Sequence, residues 1–169
     1  MKKLYKSLKN FCFSSIPVMT VFLSVFITIL PYKADYLSLL MPLLTPITIY
    51  FWSVYQPQHL SYISVFLLSI FKDIMEDNVI GISTICFLLF QAMIRFQRKC
   101  IINNAFIVVW AGFIFFLSII LLIPLILVHF SIDTQNYKFT IIFSQWLITI
   151  FVYVPIHWLL SKLDNLKLQ

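Results

Sequence analysis

Charged side chains are scarce in this sequence, since only 11% of its 169 residues are Asp, Glu, Lys or Arg and 62% are hydrophobic. Soluble domains typically hold about 25% charged and about 45–50% apolar residues. A water-soluble domain of this length leaves much of its surface exposed, and these residues supply too few polar groups to cover it. The composition therefore predicts an integral membrane protein whose excess apolar surface faces lipid.

Glycine and cysteine are also rare. The two glycines, Gly81 and Gly112, cannot form a GxxxG helix-packing motif. The three cysteines include no CxxC pair, which excludes a readable disulfide framework or zinc ligand set. The sequence has no GxSxG, no HExxH and no Gly-rich phosphate loop. We therefore expect neither catalytic activity nor a bound cofactor or metal.

The net charge of +6 comes from basic residues at the ends of apolar segments, without the interleaved aromatics of a nucleic-acid surface. A membrane-flanking role explains them better, and we expect no nucleic-acid partner. Four lysines precede the apolar run Phe11–Leu30, as in a secretory signal. That run, at about 20 residues, is too long for a signal core, and no cleavage site follows it, so we expect a retained first span.

Charged residues divide the chain into apolar segments at 11–30, 36–55, 60–72, 79–94, 105–130 and 139–161. A crossing helix needs about 20 apolar residues, and the third and fourth segments are shorter. These two segments form either short crossing helices or a hairpin that the other helices bury. The sequence predicts an all-α polytopic bundle of about six transmembrane helices, in a single domain over residues 1–169.

Orientation follows from the basic residues alone. With six crossings, nine of the twelve lie on the side of the amino terminus, and only Lys33, Lys72 and Lys138 lie on the other. Both termini are therefore predicted to be cytoplasmic.

Asp73, Glu76 and Asp77 form an acidic group after the third segment. On a helix they share a face, which is suited to a cation or to proton uptake. No histidine lies nearby in sequence, and an oxygen-only metal site needs more ligands than these three acids guarantee. We instead predict that Asp73 caps or pins the turn before the fourth segment, where Gly81 lets the returning chain pack closely.

Gln145, Thr149, Tyr153 and His157 recur every four residues in the last segment, so they lie on one helix face. This stripe fits a proton or solute path. It equally fits hydrogen bonding between helices, which is common in membrane spans. We favour the structural interpretation.

Two stretches carry a family resemblance: W-S-V-Y-Q-P at 52–57 and D-I-M-E-D-N-V-I-G at 73–81. They resemble the pattern of the rod-shape protein family MreD, in which Trp and Pro end a span before G-L-L-x-D-L-L-x-G-x-P-L-G. Trp52, Pro57, Asp73 and Gly81 match in register. R-F-Q-R-K at 95–99, a Trp at 110 and Q-W-L-I-T-I-F-V-Y-V-P at 145–155 are also similar. Three small or turn residues of the pattern are replaced, by Ser69, Asp77 and Val79.

The resemblance implies a non-enzymatic subunit of the cell-wall elongation complex in the bacterial inner membrane. Its expected partners are a bitopic MreC-like protein and, indirectly, an MreB-like actin homologue and the wall-synthesising polymerase and transpeptidase. The implied fold is similar to the substrate-binding subunit of energy-coupling-factor transporters. The candidate structural or partner-binding residues are Trp52, Pro57, Asp73, Gly81, Arg95, Arg98 and Lys99.

Two contacts are expected from this assignment. The basic loop Arg95–Lys99 is predicted to meet anionic lipid or an acidic partner surface. The partner's span is predicted to pack along residues 60–94, where small polar side chains allow close approach; these are Ser61, Ser64, Ser83 and Thr84. The alternative function is a small-solute binding subunit of a transporter, which would need a polar, well-defined pocket near its outer side.

Overall fold

A computed structural model describes residues 2–29, 42–76, 81–102, 106–130 and 139–165. These residues form six helices, and no strand occurs among them. The helices are α1 (Lys2–Ile29), α2 (Leu44–Tyr55), α3 (Tyr62–Met75), α4 (Ile82–Ile102), α5 (Phe106–Phe130) and α6 (Phe139–Asn165). The predicted all-α fold is confirmed, and each helix overlaps one predicted apolar segment. Positions 36–41 of the second segment lie outside the described residues.

The short helix α2 lies at the centre of the bundle. Every residue from Thr45 to Val54 is buried, including the large side chains of Tyr50, Phe51 and Trp52. The helix packs against α1, α4, α5 and α6. Its sequence carries no charge, and its few polar side chains, Thr45, Thr48 and Ser53, are buried with the rest, as expected of a helix enclosed by others.

Helices α3 and α4 form an antiparallel hairpin. Ser61 is the N-cap of α3, because its hydroxyl accepts from the amide of Ile63 at 3.3 Å. The start of α3 lies against the middle of α4, because Gln91 donates to the carbonyl of Leu60 at 2.9 Å. The end of α3 lies against the start of α4, where Asp73 accepts from the amide of Gly81 at 2.8 Å.

The outer faces of the helices around α2 expose large apolar side chains. On α1, α3 and α6 most of them recur three or four residues apart, and on α4 and α5 several recur at four or seven residues, so that they form a stripe along each helix. The most exposed are Met19 and Leu23 of α1, Ile63 and Leu67 of α3, Ile85 and Phe96 of α4, Ile107 and Phe115 of α5, and Phe151 and Trp158 of α6.

Within the described residues, one helical stretch is long and apolar enough to cross a membrane, Phe143–Asp164 of α6. Shorter apolar stretches occupy Ser15–Ile29 of α1 and Phe106–Leu122 of α5. Among its described residues, the structure thus supplies one candidate spanning helix for the membrane protein that the sequence predicts.

Candidate functional site

The bundle has a polar cluster at each end of the α3–α4 hairpin. We call the end that holds Arg95 and Arg98 the arginine end, and the end that holds Asp73 and Gly81 the aspartate end. About 16 Å separates them along α3, because the 11 residue steps from Tyr62 to Asp73 rise about 1.5 Å each.

At the arginine end, two guanidinium groups of α4 bind the backbone where α2 stops. Arg98 donates from Nε to the carbonyl of Val54 at 2.6 Å and from Nη2 to that of Tyr55 at 3.4 Å. The last carbonyls of a helix have no partner within the helix, and a cation there also complements the helix dipole. Arg98 therefore caps α2 from a neighbouring helix.

Arg95 holds the loop that connects α2 to α3. Its Nη2 donates to the carbonyl of Pro57 at 2.8 Å and to that of Leu60. Its guanidinium also lies 4.2 Å from the ring centroid of Tyr62, within the range of a cation–π contact. The proline of the W-S-V-Y-Q-P stretch is thereby tied to the basic stretch through its carbonyl.

The basic stretch 95–99 is helical, because α4 continues to Ile102 rather than ending in a loop after residue 94. Arg95 and Arg98 are only partly exposed and bind the protein's own carbonyls, whereas Lys99 is exposed. Of the three basic residues predicted to meet lipid or a partner, Lys99 is the one that the structure leaves on the surface.

Two further contacts connect the arginine end to α6. The hydroxyl of Tyr55 lies 3.1 Å from Nε2 of His157, and Gln56 donates through Nε2 to the carboxylate of Asp164. The pairs are separated by 102 and 108 positions in the chain. No pattern in the sequence marks either pair.

Trp52, the first residue of the family-like motif, is wholly buried and donates from Nε1 to the hydroxyl of Thr20 at 2.7 Å. This bond joins α2 to α1. Tyr50, two residues earlier in α2 and therefore on the opposite side of the helix, donates to the carbonyl of Val109 in α5 at 2.7 Å. The central helix is thus fixed to its neighbours by polar contacts as well as by packing.

At the aspartate end, Asp73 is fully buried. Its Oδ2 accepts from the amide of Gly81 at 2.8 Å and from the hydroxyl of Thr84 at 3.5 Å. Its Oδ1 has no hydrogen-bond partner in the described parts of the chain. The carboxylate therefore lies at the start of α4, where helical amides lack acceptors.

The role of Gly81 differs from the predicted one. An added Cβ would meet no described atom within 4 Å, so close packing does not require glycine here. The backbone angle φ of Gly81, +106°, is what requires glycine, because residues with a side chain rarely adopt that conformation. The glycine allows the chain to turn so that its amide points at Asp73.

The predicted acidic face is not a cluster in the structure. Asp73 points inward, Glu76 pairs with Lys72 on the same helix, and Asp77 lies outside the described residues. Among the described residues, no three His, Cys, Asp or Glu side chains lie close enough to hold a metal ion.

The polar stripe of α6 connects helices. Thr149 is buried, accepts from the amide of Leu43 at 3.0 Å and donates to the carbonyl of Gln145 at 2.6 Å. Tyr153 is buried and stacks on Phe113 of α5 with ring centroids 4.4 Å apart. Together with the Tyr55–His157 contact, this geometry agrees with the structural interpretation of the stripe.

The small residues predicted to face a partner have different surroundings. Thr84 is 4% exposed and points at Asp73, so it is not available to a partner's helix. Ser61 is exposed and caps α3. The outer face of the hairpin instead presents large apolar side chains such as Ile63, Leu67 and Ile85.

A cavity of about 180 Å³ lies at the aspartate end, between α1, α2, α3, α4 and α5. Thr28, Thr45, Lys72 and Ser83 are among its lining residues, the hydroxyl of Thr45 is buried away from it, and most of its wall is apolar. The sulfur-bearing side chain of Cys86 also lines it.

No protein-family model, curated protein or solved structure matches the chain. Function is therefore inferred from the residues and contacts described above.

Proposed function

We propose that this chain is a multi-pass, non-enzymatic membrane subunit that scaffolds an MreC-like partner for lateral peptidoglycan synthesis and cell-shape maintenance. The observation that carries the proposal is the apolar exterior of a bundle whose polar contacts lie inside and at its two ends. The resemblance of residues 52–57, 73–81 and 95–99 to the MreD family supplies the biological assignment.

The distribution of apolar side chains supports residence in lipid. Exposed stripes run along α1, α3, α4, α5 and α6, while α2 between them is buried. Monomeric soluble proteins rarely expose contiguous apolar patches larger than a few hundred Å². In a bilayer such surfaces carry no penalty, because they face hydrocarbon that is as apolar as they are. The helices also satisfy most of their own backbone groups, as a spanning segment must.

The arginine end is assigned to the cytoplasm by its basic residues. Lys99 and Lys162 are exposed there, and the ammonium of Lys162 lies 5.6 Å from the ring centroid of Trp158. Exposed tryptophan beside lysine is typical of a membrane–water interface. We accordingly propose that α1 begins and α6 ends on the cytoplasmic side.

The cavity at the aspartate end, as the described residues line it, is smaller and less polar than a solute site of a transport subunit would be. Pockets for drug-sized ligands typically enclose about 300–1,000 Å³, and this cavity of about 180 Å³ has mostly apolar walls. A transported polar solute needs a larger and more polar site. The internal contacts of Trp52, Pro57 and Asp73 instead favour a rigid bundle that offers its outer faces to a partner protein.

The outer face of the α3–α4 hairpin is the proposed surface for the partner's single span. Its exposed side chains are large and apolar, so a partner helix would fit between them with small residues of its own. Helices in lipid associate through such shape complementarity, because burial from lipid offers little preference.

Cysteine crosslinking tests this assignment. In a variant with all three native cysteines replaced by serine, Leu67→Cys and Leu89→Cys place thiols on the hairpin's exposed face, and Met19→Cys and Leu23→Cys place them on α1. With an MreC-like protein co-expressed, we expect the hairpin positions to crosslink to its span more strongly. The buried position Val65→Cys is the negative control.

A stronger crosslink from α1, or none from any position, would reject the hairpin as the docking face. Failure of the two proteins to co-purify would reject the scaffold function itself.

A further inference from the structure

We propose that the outer face of the α3–α4 hairpin lies against a locally thinned bilayer, about 10 Å thinner than the bilayer beside α6. The inference rests on the membrane residence that the proposed function includes. It deepens that proposal, because it concerns the face offered to the partner's span, before a partner covers it.

The apolar faces of the two regions differ in height. On α3, exposed apolar side chains lie between Ser61 and Glu76, which are about 22 Å apart along the helix axis. On α4, the distance from Ile82 to Arg95 is similar, about 20 Å. The apolar stretch of α6, Phe143–Asp164, has 22 residues and covers about 32 Å. The hydrocarbon core of a bilayer is about 30 Å thick, so α6 matches it and the hairpin does not.

At the arginine end the two regions are level. Gln56, in the connection from α2 to α3, donates to the carboxylate of Asp164, where the apolar stretch of α6 ends. Arg95 binds the carbonyls of Pro57 and Leu60 in the same connection. The apolar faces of the hairpin and of α6 therefore have a common boundary at this end.

At the aspartate end the two regions are not level. The amide of Leu43 donates to the hydroxyl of Thr149 at 3.0 Å, and Leu43 lines the same cavity as Lys72. Thr149 thus marks the height of the aspartate end on α6. The helix continues beyond it through the exposed side chains of Leu147 and Phe143, about 9 Å farther. This step, read from contacts, agrees with the difference in length.

A short apolar face is accommodated by thinning of the bilayer, by side chains that reach toward the interface, or by association with another helix. Thinning is favoured here, because the charged groups at the far boundary are held in place. Lys72 pairs with Glu76 on the same helix, and Asp73 accepts from the amide of Gly81. Headgroups and water therefore reach down to this boundary, since a charge in hydrocarbon is costly. A partner helix on this face would replace the deformed lipid, which gives a physical reason for docking there.

Spin labels at matched heights test the step. In the cysteine-free background, without any partner protein, Met75→Cys and Phe151→Cys place labels about 21 Å from Ser61 and about 20 Å from Asp164. Both positions are exposed, and a flat bilayer would put them at equal depth. We expect the label at position 75 to lie about 9 Å shallower than the label at position 151. Relaxation by oxygen compared with a water-soluble nickel chelate, in dioleoylphosphatidylcholine vesicles, measures the depth.

Leu67→Cys and Trp158→Cys are the matched control pair. Both positions are exposed, and they lie about 9 Å from Ser61 and from Asp164, respectively, where the two regions are level. Their labels should have equal depths. In vesicles of phosphatidylcholines with longer acyl chains, the label at position 151 should lie deeper, while the label at position 75 stays at the headgroups.

Equal depths at positions 75 and 151, or a label at position 75 that deepens with chain length as the other does, would overturn the thinning. A difference of the same size in the control pair would show a tilted bundle and overturn it as well. Aqueous accessibility at all four positions would reject membrane residence, and this inference with it. A depth step that persists although no partner co-purifies would support this inference and reject only the scaffold function.

Discussion

At the arginine end, two guanidinium groups reach from α4 to backbone carbonyls 35 to 44 positions earlier in the chain. At the aspartate end, Asp73 accepts from an amide only eight positions later. The first end joins helices that are distant in sequence, whereas the second closes one local turn and adjoins a cavity. The arginine end is therefore expected to determine whether the bundle assembles, and the aspartate end how its hairpin is shaped.

The largest effect is expected from Arg95→Ala. The substitution removes the donor to the carbonyls of Pro57 and Leu60 and the contact with Tyr62. Hydrogen bonds to charged groups contribute about 1.5–3 kcal/mol each, so we expect a loss of about 3 kcal/mol in the free energy of unfolding. Thermal unfolding in detergent measures it.

Gln97→Ala is the matched control for Arg95→Ala, because Gln97 is exposed on the same helix. Equal unfolding midpoints for the two variants would show that the arginine contacts do not stabilise the bundle.

The next effect is expected from Asp73→Ala, which removes the acceptor of the Gly81 amide at the start of α4. We expect the free energy of unfolding to fall by about 1–3 kcal/mol, since a buried donor loses its partner. Folded yield and recovery of the MreC-like partner should fall with it, because the hairpin carries the proposed docking face.

Glu76→Ala removes the other described carboxylate of the same helix. It pairs with Lys72 one turn away, and such pairs on a helix contribute about 0.3–0.5 kcal/mol. A loss for Asp73→Ala no larger than for Glu76→Ala would contradict the special role of the buried carboxylate.

The contrast between the two ends also separates what the sequence could predict from what it could not. The apolar segments predicted six helices, and the D-I-M-E-D-N-V-I-G stretch brought Asp73 and Gly81 together because they are near in sequence. The identity of the buried central helix was not predictable, since neither α2 nor the more exposed α5 contains a charged residue. The pairing of Gln56 with Asp164 was not predictable either, because it depends on how helices distant in sequence pack.

The basic stretch illustrates the same limit. Its three cations were predicted to act alike, because charge and spacing do not reveal which of them points inward. Packing of α4 against α2 directs Arg95 and Arg98 at unpaired carbonyls and leaves Lys99 outside. The two arginines are therefore internal contacts, and the predicted lipid contact applies to Lys99.

The smallest effect on stability, and the clearest separation of roles at the arginine end, is expected from Lys99→Gln compared with Arg98→Gln. Lys99 is exposed, one turn from Phe96, which is 89% exposed, so its loss should leave the unfolding midpoint unchanged. Each cation near an anionic leaflet contributes about 1 kcal/mol to association with it. Lys99→Gln should therefore lower the preference for anionic over neutral lipid about fivefold in nanodiscs, while Arg98→Gln lowers stability and leaves that preference intact. Lipid preferences that change equally in the two variants would show that the arginines also face the leaflet, and would break the distinction between internal and external cations.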